Sequence, residues 1–89
     1  MVLIDDEKLK KYGYVVASSY MVKAMKALDG EVKIPTQIAD DADIRINHIS
    51  KVLSELKAKE MIECINEDQR KGRLYRLTSI GDEIVDKLE

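Results

Sequence analysis

The 89-residue sequence predicts an α+β, mainly α domain, and three observations carry the prediction. Residues 37–42 form a short helical pattern that passes through a tight turn into a longer pattern from about Arg45 or Ile46 to Lys59. In the longer one, Ile49, Val52, Leu53 and Leu56 recur at i, i+3, i+4 and i+7, the spacing of one buried helix face. Two strand-like runs follow, 61–66 and 73–77, joined by the basic turn Gln69-Arg70-Lys71-Gly72-Arg73. Helix, turn, helix and a hairpin with a cationic tip is the plan of a winged helix-turn-helix with a two- to three-stranded antiparallel wing.

The remaining elements fit around that centre. Residues 1–14 place Asp5, Asp6 and Glu7 before Lys8, Lys10 and Lys11, an order that suits a short helix and its dipole. Tyr12-Gly13-Tyr14 is expected to break it. This segment reads as an N-terminal extension and a candidate dimer element, leaving 15–89 as the winged-helix domain. The next helix is expected to start at Ser18 or Ser19, either able to cap it, with Met21, Ala24, Met25 and Leu28 inward and Asp29-Gly30 as its stop. Glu31–Ile34 alternates like a short strand. Pro35 suits a first helical position, with Thr36 as an alternative cap. Asp43 falls in the tight turn, where Asp tolerates left-handed backbone. Thr78 is expected to cap a last helix that turns Ile84, Val85 and Leu88 inward.

Composition bounds the class. The length allows one domain with a small core. With four Tyr and no Trp or Phe, that core rests on aliphatic side chains. The single Cys excludes an internal disulfide and suggests a reducing, cytoplasmic setting. No apolar run approaches the roughly 18 residues that span a bilayer, so no membrane association is expected. The start of the chain lacks the basic and apolar regions of a signal peptide. Net charge is −2, but it is unevenly spread. Residues 45–76 hold eight Lys/Arg against five Asp/Glu, and residues 77–89 hold one Lys against four acids. The positive charge gathers where the helix-turn-helix and hairpin lie.

Three stretches resemble a known family: Pro35-Thr-Gln-Ile-Ala39, Ile49-Ser-Lys-Val-Leu-Ser-Glu-Leu56, and Gly72-Arg-Leu-Tyr-Arg-Leu-Thr78 with Gly81 three residues on. Over roughly residues 19–88 the chain is similar to the small winged helix-turn-helix transcription regulators of archaea, in the broad group of the MarR and ArsR repressors. The resemblance implies a Tyr75 packed under the wing. It also marks departures. Asp43 and Glu60 stand where the family usually has Gly, and Arg45 stands where Ser or Thr usually opens the recognition helix. The metal-sensing members pair Cys in that helix, and this chain has none there.

Candidate site residues follow from the plan. Asn47, His48, Ser50 and Lys51 lie on the outer face of the longer helix, with Ser54 and Glu55, and Arg45, Asn47, His48 and Lys51 lie near the N-terminal half that meets base edges. Arg is suited to guanine and Asn to adenine through paired hydrogen bonds. Arg70, Lys71 and Arg73 in the hairpin turn are suited to phosphates. Against each stands a plainer role, a solvated helix face or a soluble hairpin tip. Asp40, Asp41 and Asp43 are an awkward feature beside phosphates.

Other chemistry is excluded. His48 and Cys64 are single and make no zinc site, so no metal or other cofactor is expected. Asp41-Ala-Asp43-Ile-Arg45 begins like a calcium loop but puts Ile46 and Val52 where glycine and the bidentate acid belong. No activated nucleophile or glycine-rich phosphate loop is present, so no enzyme is expected. The expected partner is duplex DNA, bound by a homodimer whose third core helix enters the major groove while the wing lies on phosphates. The alternatives are a protein-interaction module in a larger assembly and an RNA-binding winged helix.

Overall fold

The computed structural model describes residues 6–88 and gives the order α1 (Asp6–Val16), α2 (Ser19–Ala27), α3 (Pro35–Ala42), α4 (Ile46–Ala58), β1 (Ile62–Cys64), β2 (Tyr75–Leu77) and α5 (Ser79–Asp86). This is a winged helix: a helical body with a small antiparallel hairpin as its wing. Residues 1–5 and 89, the outer ends of the expected extension and domain, lie outside the described residues. No described helix is long and apolar enough to cross a membrane.

Local chemistry sets the helix ends. The Ser18 hydroxyl accepts from the Met21 amide at 3.3 Å and starts α2. Pro35 opens α3, where its missing N–H costs nothing, and the Ile34 amide donates to Gln37 Oε1 at 3.2 Å. α3 and α4 end alike. Asp43 (φ 57°) and Glu60 (φ 62°) take the left-handed conformation just beyond each helix. The Ile44 amide then donates to the Ala39 carbonyl at 2.8 Å, and the Met61 amide to the Leu56 carbonyl at 3.0 Å. Both are Schellman closures on residues that carry a Cβ, a conformation costing on the order of 1 kcal/mol each relative to glycine.

The α4 stripe is buried as the spacing requires: Ile49, Val52, Leu53 and Leu56 all enter the core, with Met21, Ala24, Met25, Leu28, Ile38, Met61 and Ile62 around them. Ile84 and Val85 of α5 close the base, and Leu88 packs partly buried beyond the helix end. Tyr75 is buried beneath the wing.

Three expectations are corrected. Tyr12-Gly13-Tyr14 does not break α1, which runs on to Val16. Glycine in a helix costs about 1 kcal/mol relative to Ala. Here packing outweighs it, because Val15 is fully buried and Tyr12 and Tyr14 lie partly buried against the core. The Tyr14 hydroxyl also donates to Glu55 Oε2 of α4 at 3.1 Å. The apolar part of the N-terminal segment therefore finds its partner inside the same chain, and only Leu9 and Val16 of α1 stay exposed as large hydrophobics. The run Glu31–Ile34 is not a strand but a single bridge, Lys33 to Tyr75, with backbone bonds of 3.1 and 2.9 Å. The hairpin strands are also shorter than expected, three residues each, in the register Ile62↔Leu77, Glu63↔Arg76 and Cys64↔Tyr75.

Gly81 is the tightest point of the fold. A Cβ there would run into the Met61 carbonyl, whereas one at exposed Gly13 would meet nothing within 4 Å. The two glycines should respond with opposite signs. Gly81→Ala should destabilise by about 1–3 kcal/mol through overpacking, and Gly13→Ala should stabilise by about 0.5–1 kcal/mol through helix propensity. Thermal unfolding of both variants checks this, and a neutral Gly81→Ala would contradict the close approach of α5 to Met61.

Candidate nucleic-acid interface

The site is built on α4 and the wing. The closure at Asp43 turns the chain sharply and buries Ile44, which fixes where α4 begins. Arg45 stands at its N-cap with extended backbone and no side-chain cap bond, so its guanidinium is not spent on the helix. Asn47, Ser50 and Lys51 follow on the face opposite the core stripe, all exposed. Among the described residues, none of these four side chains has a hydrogen bond or ion pair. His48, also exposed, packs against the Tyr20 ring of α2, centroids 5.7 Å apart and planes 34° apart. The structure thus places all five expected residues, exposed, at the N-terminal end of α4. It adds two that sequence reasoning passed over, Tyr20 and Ile46. Tyr20 had no sequence signal, because the pairing with His48 crosses from α2 to α4. Ile46 did have one, an apolar residue one turn ahead of Ile49 at the start of the stripe.

The wing loop is organised from within. Asn66 Oδ1 accepts from the Leu74 amide at 2.7 Å, and Asn66 Nδ2 donates to the Gly72 carbonyl at 3.1 Å. Gly72 at φ 67° makes the turn that Asn66 spans. Arg73 donates through Nε to the Gln69 carbonyl at 2.7 Å and through a terminal nitrogen to the Glu67 carbonyl at 3.3 Å. Arg73 is therefore bound into the loop and half-buried, while Arg70 and Lys71 stand exposed at the tip without a side-chain partner among the described residues. Spacing alone could not separate these three cations, since the distinction comes from loop carbonyls that only the folded hairpin brings together.

A charge pair ties this loop to the helix. Lys57 near the end of α4 bonds to Glu67 of the wing. Glu67 is held below its ordinary carboxylate value by the hydrogen bond from Lys57, and Lys57 is raised chiefly by the same bond. Among the acids expected to oppose phosphates, Asp41 is taken up by Lys33 at 2.6 Å. Lys33 also donates to the Ala27 carbonyl at 2.7 Å, while Asp40 and Asp43 remain exposed. Cys64 is a half-buried strand residue, and no group of three metal-ligating side chains occurs among the described residues.

No family model and no curated protein sequence matches the chain. Solved structures do. A MarR family transcription regulator superposes with a TM-score of 0.66 at 20% identity, over 90% of this chain and 52% of that one. The homodimeric winged helix-turn-helix DNA-binding domain of a possible ArsR-family regulator from Mycobacterium bovis gives 0.66 at 17% identity, over 98% of this chain and 82% of that one. The S. aureus MepR–DNA complex gives 0.55 at 19% identity, over 94% of this chain and 60% of that one. The chain has the winged-helix fold of MarR- and ArsR-family regulators, and it spans about half the length of the first of these proteins.

The Lys57–Glu67 tie has a defined pH window. Because the Glu67 value is lowered in the fold, its contribution is complete above the unfolded carboxylate value and is lost as pH falls through the folded one. Because the Lys57 value is raised, its contribution survives until pH rises through the folded amine value. Both groups are exposed, so the pair locates the wing more than it stabilises the domain. A carboxyl NMR titration should find Glu67 protonating at lower pH in the parent than in Lys57→Met. Equal midpoints would show that the pair does not form.

Proposed function

We propose that the chain is a transcription regulator that binds duplex DNA sequence-specifically, with α4 in the major groove and the wing along adjacent phosphates. One observation carries the proposal. Arg45, Asn47, Ser50 and Lys51 form an exposed polar face with no intramolecular side-chain partners, on a fold shared with a protein solved in complex with DNA. Side chains that the fold does not use are free for base edges, Arg for guanine and Asn for adenine. Arg70 and Lys71 are the wing cations free to neutralise phosphates. Arg73 acts by holding the loop that presents them. His48 flanks the reading face against Tyr20. A cytoplasmic setting goes with this role and with a single unpaired Cys64.

The competing function is a protein-interaction module, favoured by the net charge of −2 and by Asp40 and Asp43. Selection of preferred sites from random duplexes separates the two. The parent should enrich a motif, and Asn47→Ala or Lys51→Ala should relax it at particular positions, at about 1–3 kcal/mol per lost base contact. Arg70→Ala with Lys71→Ala should instead weaken all sequences alike and flatten the salt slope by about two units. No enriched motif at low salt and high protein concentration would favour the protein module.

One domain makes few contacts, and a two-fold dimer reading half-sites about one helical turn apart would double them. The homodimeric Mycobacterium bovis neighbour supports that assembly here. The surface that suits it lies along α1, where Leu9 and Val16 are 55% and 48% exposed, two helical turns apart, beside an apolar groove formed with Tyr12 and Ile84. Ile80, an apolar residue at the start of α5, offers less, because it is partly buried against the core. Sedimentation at micromolar concentration should give twice the 10.1 kDa chain mass, and Leu9→Glu with Val16→Glu should give the monomer without loss of helicity. A monomeric parent would exclude the dimer.

A further inference from the structure

Ile46 is the most exposed large hydrophobic side chain among the described residues, at 57%. It opens α4, between Arg45 and Asn47 and one turn ahead of Ser50. The core does not recruit it, because Ile49, Val52, Leu53 and Leu56 already complete the buried stripe. Nor does it cap the helix, since the N-cap position belongs to Arg45. A β-branched residue loses side-chain freedom in a helix and brings no hydrogen bond to its first turn. Its immediate company is instead a set of unpartnered polar side chains at the end of the helix proposed to enter the major groove.

Among the four bases, only thymine presents an apolar group in that groove, the methyl on C5. Arg45, Asn47 and Lys51 match the hydrogen-bonding edges and leave that methyl without a counterpart. We propose that Ile46 reads thymine, its exposed aliphatic side chain packing on a C5-methyl within each half-site. Ile46 is then a specificity-determining residue, and the preferred site contains a thymine that no hydrogen bond explains. This rests on the DNA-binding function proposed above, and the two can fail separately.

The test uses duplexes selected by the parent protein, with each thymine replaced in turn by deoxyuridine, which removes only the methyl. One position per half-site should weaken parent binding roughly fourfold, the size expected for exposing one methyl-sized group. Ile46→Ser should bind the thymine duplex weaker by a similar factor and should be indifferent to uridine at that position. Changing protein and DNA together should cost no more than either change alone. Because Ile46 is exposed, the variant should keep the parent's circular dichroism and Tm. An enriched motif whose uridine sensitivities are the same in parent and variant, or one without thymine, would overturn the role of Ile46 and leave DNA binding standing. If no motif is enriched, both fall.

Discussion

Thr78 holds the wing, the end of α4 and the last helix in one place. Its amide donates to the Met61 carbonyl at 3.1 Å, and its hydroxyl donates to the Glu60 carbonyl at 2.7 Å. The same hydroxyl accepts from the Gly81 amide at 3.1 Å and so caps α5. One side chain thereby satisfies an orphan donor of α5 and an acceptor just beyond α4. The geometry demands that α5 pass close to Met61, which is why glycine stands at 81. It also demands that Glu60 turn left-handed, so that its carbonyl and that of Met61 both face Thr78. Conformational strain at Glu60 is thus offset by two hydrogen bonds and by burial of Met61 and Ile62. The wing strands, only three residues each, depend on this junction at one end and on Asn66 at the other.

The fold sorts the cations of residues 45–76 into two groups. Lys57 pairs with Glu67, Arg76 with Glu63 at 2.7 Å, Arg73 with loop carbonyls, and Lys59 lies over the Tyr14 ring at 4.8 Å. These four work within the chain. Arg45, Lys51, Arg70 and Lys71 have no such partner among the described residues, and they sit at the start of α4 and at the wing tip. A cation paired with a carboxylate carries its counter-charge with it, so the pair brings little net charge to a phosphate. The proposed DNA footprint is therefore narrower than the basic stretch, and it falls on two separate elements whose relative position the Lys57–Glu67 pair helps to set.

Much of this was legible in the sequence, for reasons that are local. The α4 stripe, the Ser18 and Thr78 caps, Pro35 at a helix start and Asp43 in the turn each follow from chemistry within a few residues of the chain. Where the sequence misled, a distant partner decided. Gly13 reads as a breaker until α1 is seen packed on the body through Tyr12, Tyr14 and Val15. Arg73 reads as a third wing cation until the hairpin folds its own carbonyls around the guanidinium. The Tyr20–His48 contact joins residues 28 positions apart, and no periodicity encodes it. The hairpin strands ended early because Asn66 captures the backbone of the loop, a side-chain preference that alternation of apolar residues does not register.

Net acidity need not oppose the proposed role, because what steers association is the distribution of charge. Residues 77–89 carry a single Lys against four acids, and the stretch that includes α4 and the wing carries the excess of bases. In the field of a polyanion the excess of bases along that stretch is attractive even when the whole chain is acidic. Asp40 and Asp43 are the exception, since they lie exposed next to the start of α4. Close to a duplex they would cost binding energy for every sequence alike. A penalty common to all sites lowers affinity without changing the ratio between them, so discrimination rests on the base contacts alone. In the proposed complex the acids beside α4 would lower raw affinity, and the unpartnered side chains of α4 would carry the choice between sites.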